Sequence, residues 1–210
     1  FEFMDSIISA LQNQTKESEY LRRIIKKQNV YNSFGEIFTD IQRKRLFKKL
    51  PTYKTERAKK DPVDWMSYID LKIWLGDGLL SKVDKISMAN SLEVRTPFLD
   101  YNLVNYMFSI DSSIKVGKTN KHLLKQIASK YIPNEIINRT KKGFNSPFNE
   151  WIFQEYGSSI LELILEVNKE TDYFNENYLK QIYELAQKRK FKQHLWSIFI
   201  FSKWFKKTYL

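Results

Sequence analysis

Two carboxylates and a lysine lie close together in a short segment that is otherwise rich in Leu, Ile and Ser. Asp77, Asp84 and Lys85 belong to the run D-G-L-L-S-K-V-D-K-I-S-M, whose apolar spacing predicts a short helix. Carboxylates in a cleft can face a polar substrate or its metal ion, and a neighbouring lysine can pair with them. Helix capping and local pairing are the plainer alternative for both aspartates. By themselves, these charged side chains among apolar neighbours are candidates for a functional role, without a defined ligand.

The residues that follow carry further polar side chains among apolar ones. Glu93 and Arg95 alternate with Leu, Val and Thr, a pattern typical of an extended, half-buried segment. Buried charges need partners, so we expect both to pair with helices packed around them. Ser87 is small enough to permit close helix contact, and Asp100 can cap the helix that follows it. These four residues are interpreted as structural.

A second candidate is a pair of lysines in a polar loop. Lys141 and Lys142 lie in the segment 139–149, which its Gly, Asn, Ser and Pro residues predict to be a loop. Taken by themselves, the two lysines are ordinary solvated side chains. The histidines, His122 and His194, lie on predicted amphipathic helices and are interpreted as packing or surface residues.

Composition excludes several classes of site. The 210 residues include no cysteine, which excludes a disulfide framework, a cysteine-ligated metal and a cysteine nucleophile within this chain. With two histidines and no glycine-rich phosphate loop, no metal site and no nucleotide cradle can be assigned. The apolar run at 195–201 is far shorter than the ~20 residues of a membrane span. Because the chain starts with Phe and not Met, we expect it to begin inside a longer protein.

The net charge of +11 is unevenly distributed. Residues 1–60 and 118–150 are basic, whereas 61–117 carry more acidic than basic side chains. Solvated helix faces explain this most simply. An anion-binding face is the alternative, and the acidic block favours a phosphorylated small molecule over nucleic acid, whose backbone it would repel.

The elements that would position these residues are helices almost throughout. Helical spacing predicts helices at 17–28, with Leu21 and Ile24 inward, and at 34–49, with Phe34 and Leu46 inward. A polar connector at 52–60 precedes Asp61-Pro62, which can open a helix that Gly76 and Gly78 should break. Because no segment alternates with period two over any length, the chain is predicted to be mainly α. Residues 1–50 are predicted to be a helical segment without a specific motif, and 51–210 to be the motif-bearing part.

The segment 75–100 resembles the synthetase domain of the glutamine-hydrolysing asparagine synthetase family. That family's pattern looks like L-x-D-x-L-L-x-K-x-D-x-x-S-M-A-x-S-L-E-x-R-x-P-F-L-D, and every fixed letter is matched between Leu75 and Asp100. Three further stretches follow in family order: G-K-x-x-x-x-L-L at 117–124, L-P-x-x-I-x-x-R-x-K-x-G-F at 132–144, where Ile132 stands in place of the leading Leu, and a closing L-W…W at 195–204. The resemblance covers roughly residues 50–207.

The resemblance implies a fold and an activity. The fold is the helical C-terminal half of an α/β ATP-pyrophosphatase synthetase domain, with the parallel sheet and both nucleotide loops upstream of this chain. The activity is adenylation of the aspartate side-chain carboxylate with ATP and Mg²⁺, followed by attack of glutamine-derived ammonia. Lys141 matches the family lysine that stabilises charge during adenylation, whereas Asp77, Asp84 and Lys85 are the candidates that face substrate, pyrophosphate or Mg²⁺. No metal ligand is assigned within this chain.

The same resemblance sets the remaining expectations. The chain alone should be inactive, cytoplasmic and free of membrane spans, with the upstream half of the same protein as its partner and a homodimer compatible with the sequence. Helices that normally cover a buried sheet should expose apolar side chains when that sheet is missing. Two other interpretations stay open: a β-lactam-synthetase-like relative on the same scaffold, and a basic helical module that binds an acidic partner or nucleic acid.

Overall fold

The computed structural model describes residues 16–51, 61–117, 119, 121–140 and 147–210. Its helices are, in chain order, α1 Lys16–Ile25, α2 Asp40–Leu46, α3 Pro62–Ile69, a π-helix Asp70–Leu80, α4 Ser81–Met88, a 3₁₀ turn Pro97–Leu99, α5 Tyr101–Ser109, α6 Ser112–Lys115, α7 His122–Ala128, α8 Asn134–Ile137, α9 Phe148–Tyr156, α10 Ser159–Thr171, α11 Glu176–Gln187 and α12 Lys192–Tyr209. The prediction of a mainly α chain is confirmed. Within the described ranges, β pairing is limited to one antiparallel bridge between Phe47 and Phe174.

The described residues divide into two compact units. The first is drawn from 1–30, 36–55 and 145–210, and the second from 31–35 and 56–144. The chain therefore enters the second unit briefly at 31–35 before it does so at length. The motif-bearing segment 75–100 lies in the second unit.

The core of the first unit is formed by α10, α11 and α12, with α2 packed against them. Their apolar stripes supply side chains that are almost completely buried: Leu46, Ile160, Ile164, Leu179, Ile182, Leu195 and Phe199. Burial of each such side chain contributes roughly 1.5–3 kcal/mol. This unit therefore has the apolar core that a stable fold requires.

Buried polar side chains close the turns around this core. Asn168 accepts a hydrogen bond from the backbone N–H of Phe174 (2.9 Å) and donates one to its carbonyl (3.0 Å). Thr39 and Gln42 form a reciprocal capping box at the start of α2, with N···O distances of 3.2 and 2.9 Å. Because each pair satisfies backbone groups that would otherwise be buried without partners, these residues fix where α2 begins and how α10 leads into α11.

The prediction of which residues form the inner face of α1 is wrong. Leu21 and Ile24 are 52% and 57% exposed, whereas Glu19 and Arg23 are 3% and 1% exposed. Arg23 is buried because all five of its N–H groups find acceptors, on Glu19, Glu36, Asp40 and the Val30 carbonyl. An ion-pair network, and not an apolar stripe, faces inward from this helix.

Helix α2 is also shorter than predicted. It begins at Asp40 and not at 34, because the Thr39 capping box starts the helix there. Phe34 is exposed and belongs to the second unit, whereas Leu46 is buried as expected.

His194, near the start of α12, contacts two phenylalanine rings. Its ring stacks on Phe191 with centroids 4.3 Å apart and meets Phe38 edge-on at 4.7 Å, and its Nε2 lies 3.1 Å from Gln42 Oε1. Burial, together with the positive charge of Lys16, lowers the pKa of His194 to about 4. The structural interpretation of this histidine agrees with these contacts.

The first unit should therefore lose stability on mild acidification. Between pH 6.5 and about 4 the unfolded chain takes up a proton on His194 that the folded chain does not, so this contribution is present above pH 6.5 and lost as the pH falls towards 4. We expect His194→Gln to flatten the pH dependence of the urea midpoint over this window, compared with wild type. His122→Gln, in the second unit, is the control and should leave the slope unchanged. Equal slopes for His194→Gln and wild type would contradict the prediction.

The second unit is more open than the first. Among its described residues, the apolar side chains that are buried are Trp65 and Ile69, both on α3. Asp61 caps α3 through the N–H groups of Val63 and Asp64 (2.8 and 3.1 Å) and accepts a hydrogen bond from Ser112 Oγ (2.5 Å). None of the helices in the described ranges has the length and apolarity needed to cross a bilayer.

Candidate functional site

The motif begins inside a long irregular helix. Residues 62–88 run without interruption through α3, the π-helix and α4, and Gly76 and Gly78 do not break the helix as predicted. Instead, the winding changes: the N–H of Ser81 donates to the carbonyl of Gly76, five residues earlier. π-Helical turns are rare and occur often at functional sites, where they redirect side chains. The winding change therefore marks the segment that carries Asp77.

The first residue of the π-helix is held by a segment far away in sequence. Asp70 accepts hydrogen bonds from Tyr31 Oη (2.5 Å), from the Phe34 N–H (2.8 Å) and from Ser33 Oγ (3.4 Å). Sequence reasoning missed this cluster. The signal that could have found it was a single carboxylate between the apolar residues Ile69 and Leu71.

The predicted substrate-facing residues are exposed along this helical stretch. Asp77, on the π-helix, is exposed, and so are Asp84 and Lys85 on α4. Ser87 Oγ donates to the Asp84 carbonyl at 3.1 Å, which is a local helix contact. Asp77 and Asp84 therefore belong to one continuous helical stretch and are accessible to a ligand.

Glu93 and Arg95 do not pair with surrounding helices as expected. They pair with each other, with Arg95 Nε 3.0 Å and Nη2 2.9 Å from Glu93 Oε1, and they are 69% and 85% exposed respectively. The segment around them is extended but not half-buried, since the residues from 90 to 98 are all exposed. Pairing with each other removes the need for partners on neighbouring helices. Exposed pairs of this kind contribute little to stability.

Asp100 acts as predicted for a capping residue. Its carboxylate accepts hydrogen bonds from the N–H groups of Asn102 (3.0 Å) and Leu103 (3.1 Å) at the start of α5. The cap fixes the end of the motif and the direction in which the chain continues.

Lys141 and Lys142 lie outside the described residues. Of the predicted substrate-facing and catalytic side chains, the structure therefore describes Asp77, Asp84 and Lys85. In the described ranges, no three His, Asp or Glu side chains come together in a group that could hold a metal ion.

Apolar side chains are exposed throughout the described part of this unit. They come from the π-helix, from α4 to α8 and from the segments between them: Trp74, Val83, Ile86, Met88, Leu92, Val94, Phe98, Tyr101, Leu103, Tyr106, Ile114, Val116, Leu124, Ile127, Tyr131, Ile132 and Ile136.

Comparison with known proteins identifies relatives along almost the whole chain. The family model for asparagine synthase matches residues 5–206. A glutamine-hydrolyzing asparagine synthetase 1 of Bacillus subtilis is 31% identical over 191 residues, covering 84% of this chain and 30% of that protein. A glutamine-hydrolyzing asparagine synthetase 3 of the same organism is 31% identical over 101 residues, covering 48% and 16% respectively. The amidase chry2 of Gibberella zeae is 27% identical over 117 residues, covering 52% and 17%.

The family match begins well before the motif. It starts at residue 5, so residues that carry no family pattern visible in the sequence are nevertheless included. The chain spans less than a third of the length of the curated relatives it matches. No solved structure matches the chain significantly.

Proposed function

The chain belongs to the asparagine synthase family, and from this premise we propose that it is the C-terminal helical part of a glutamine-dependent asparagine synthetase. The observation that carries the proposal is the unbroken motif from Leu75 to Asp100, within a family match that extends over residues 5–206. In the proposed reaction, ATP adenylates the side-chain carboxylate of aspartate and releases pyrophosphate. Ammonia from glutamine then displaces AMP and forms the amide of asparagine.

In this proposal Lys141 is the catalytic residue that the chain supplies. Adenylation develops negative charge on the α-phosphate and on the departing pyrophosphate, and a fixed ammonium group stabilises that charge best where water is excluded. The assignment rests on the pattern R-x-K-x-G-F at 139–144. Lys142 occupies the variable position of that pattern and is proposed to face solvent.

The exposed carboxylates are proposed to bind the ends of the substrates that do not react. Asp77 and Asp84 lie on one helical stretch and both are exposed. A carboxylate there can hold an ammonium group by a charge-assisted hydrogen bond. Lys85, next to Asp84, is proposed to balance its charge or to contact pyrophosphate.

The metal that such a reaction uses does not fit the described residues alone. The described carboxylates do not gather into a group able to hold an ion. We propose that Mg²⁺ and the ATP phosphates are bound mainly by the upstream part of the synthetase. The exposed apolar side chains of the second unit support this arrangement, because helices that cover a sheet bury such side chains against it.

The isolated chain is therefore expected to be inactive. Incubation of the purified 210-residue chain with ATP, magnesium, aspartate and ammonia should release no pyrophosphate above the blank, because no phosphate-binding loop is present in its sequence. The measurement is a coupled pyrophosphate assay, with the complete synthetase polypeptide as the positive control. That control should form asparagine with ammonia or with glutamine.

Two outcomes would contradict the proposal. Pyrophosphate release by the isolated chain at the rate of the complete enzyme would show that the upstream part is not needed. A complete polypeptide that adenylates a different carboxylate, and not aspartate, would place the chain in a sister activity of the family.

A further inference from the structure

A five-residue segment outside the motif holds the helix that carries Asp77. Residues 31–35 contact the π-helix at its first residue, where Tyr31 Oη and the Phe34 N–H donate to the two carboxylate oxygens of Asp70 at 2.5 and 2.8 Å. Hydrogen bonds to a charged group are roughly twice as strong as those between neutral groups. Both oxygens of Asp70 are therefore fixed in direction by this segment.

The same segment contacts the helix one turn before and one turn after Asp70. Before it, Trp65 Nε1 donates to the Tyr31 carbonyl at 3.2 Å. After it, the rings of Phe34 and Trp74 meet edge-on with centroids 5.3 Å apart. We name residues 31–35 the strap, because they span the helix from Trp65 to Trp74.

Gly35 allows this close approach. A Cβ atom at this position would lie 2.7 Å from Cε3 of Trp74, so the indole packs directly on the glycine backbone. The strap thus fixes Trp74 as well as Asp70. Both are residues of the π-helix. The backbone winding between them sets the direction in which the side chains of the later residues of that helix point.

π-Helical winding needs such external support. Its turns are much rarer than α-helical ones and usually persist as a single turn, whereas this helix runs from Asp70 to Leu80. In a π-helix each backbone N–H donates to the carbonyl five residues earlier, and in an α-helix to the carbonyl four residues earlier. If the helix changed from the first pattern to the second, Asp77 and the whole of α4 would rotate about the helix axis. An external contact that fixes two points of the helix prevents this change.

We propose that the strap holds the π-helix in its winding and thereby aims Asp77 at the substrate. Tyr31 and Asp70 are positioning residues: they act through the backbone of the helix and do not touch the reacting atoms. The catalytic consequence rests on the proposed function, whereas the effect on winding concerns this chain alone. The two parts are therefore tested separately.

The winding is tested on the 210-residue chain by NMR. Scalar coupling across the hydrogen bond identifies the carbonyl that accepts from the Ser81 N–H, which is Gly76 in the wild type. In Tyr31→Phe and in Asp70→Asn we expect the acceptor to shift to Asp77, and amide exchange over 70–80 to become at least about tenfold faster. Tyr106→Phe, which removes an exposed hydroxyl from α5 of the same unit, is the matched control and should change neither.

The fold is monitored in the same samples. Amides of α10 to α12 belong to the first unit and should keep their protection in every variant, so a change confined to 70–80 reports the strap. An unchanged acceptor and unchanged exchange in both strap variants would overturn the proposal. Loss of protection throughout the second unit in Tyr31→Phe would also overturn it, because the hydroxyl would then support the unit as a whole.

The catalytic part is tested on the complete synthetase polypeptide. Tyr31→Phe and Asp70→Asn should each lower kcat for asparagine formation between about 10- and 100-fold while the KM for ATP stays constant, since misdirection of a positioned group acts on the reacting geometry. The kcat of the double variant should be no lower than that of the poorer single variant, because both substitutions remove the same hydrogen bond between Tyr31 and Asp70. Glutaminase activity should not change.

The outcomes separate the two proposals. A wild-type polypeptide that forms no asparagine would overturn the proposed function and leave the winding test to decide on the strap. A shift in winding with unchanged kcat would show that the strap holds the helix without aiming Asp77. Additive losses in the double variant would mean that Tyr31 and Asp70 act independently.

Discussion

Replacing Arg23 by methionine is expected to lower the free energy of unfolding of the first unit by about 3–5 kcal/mol, the range for breaking a buried ion pair on one side. The guanidinium is 1% exposed and donates to Glu36 in a bidentate pair (2.9 and 2.6 Å), to Glu19 (2.9 Å), to Asp40 (3.3 Å) and to a backbone carbonyl. Without it, these carboxylates lie close together with less opposing charge.

The directions in which the pKa values of Arg23 and Asp40 shift agree with a mutually stabilised ion-pair network. Burial lowers the pKa of Arg23, but its hydrogen bonds to Glu36 and the nearby carboxylates more than offset this and raise it overall. Burial raises the pKa of Asp40, but a hydrogen bond with Glu19 and the charges of Arg23, Arg22 and Arg43 outweigh it and lower the pKa. Each partner therefore stabilises the charged form of the other, which methionine cannot do.

The matched control is a salt bridge on the surface of the same unit. Lys206 and Glu166 lie 2.7 Å apart and both are about half exposed, so Lys206→Met should change the free energy of unfolding by no more than ~1 kcal/mol. Urea unfolding followed by the protection of the α10–α12 amides measures both variants. Equal, small effects for the two substitutions would show that the buried network does not hold the unit together.

The starts of two helices could be predicted because a capping side chain lies directly before each of them. Asp61-Pro62 opens α3 as expected, and Asp100 caps α5. On α3 the buried Trp65 and Ile69 follow this cap on the same helix. In these places the side chains that start the helix and those that bury its inner face lead to the same structure.

Prediction failed where charge replaced apolar packing. The spacing of Leu21 and Ile24 predicted the inner face of α1, but Arg23 and Glu19 occupy it, because their partners at 36 and 40 are far away in sequence. A periodicity analysis treats every charge as exposed and cannot see such a network. Glu93 and Arg95 show the opposite error, since each satisfies the other without any neighbouring helix.

The backbone geometry around the candidate site was not predicted. The motif residues from Asp77 to Asp100 were found from the sequence, yet Gly76 and Gly78 were expected to end a helix that in fact continues. Glycine lowers helix propensity by about 1 kcal/mol per residue, which is not enough by itself to end a helix. The hydrogen bonds to Asp70 come from residues 31–34, which carry no family pattern, and only the three-dimensional structure connects them.

The prediction with the largest effect on activity concerns Lys141 in the complete synthetase. Lys141→Ala should lower kcat for asparagine formation by about 10²–10³-fold, the typical loss when one preorganised charge-stabilising group is removed. The KM values for aspartate and ATP should change little, because the charge that this lysine stabilises develops only during adenylation. Steady-state kinetics of pyrophosphate release measures both parameters.

Lys142→Ala is the matched control for this substitution. The two lysines are adjacent in one polar loop, so the variants share their change in net charge and their expected effect on folding. Only a residue that reaches the reacting phosphates should affect kcat strongly, and glutaminase activity should survive in both variants because the glutamine site is a separate one in the proposed enzyme. A silent Lys141→Ala together with a severe Lys142→Ala would mean that the neighbouring lysine faces the phosphates. Loss of glutaminase activity in both variants would mean instead that the loop supports the whole enzyme and has no special role in adenylation.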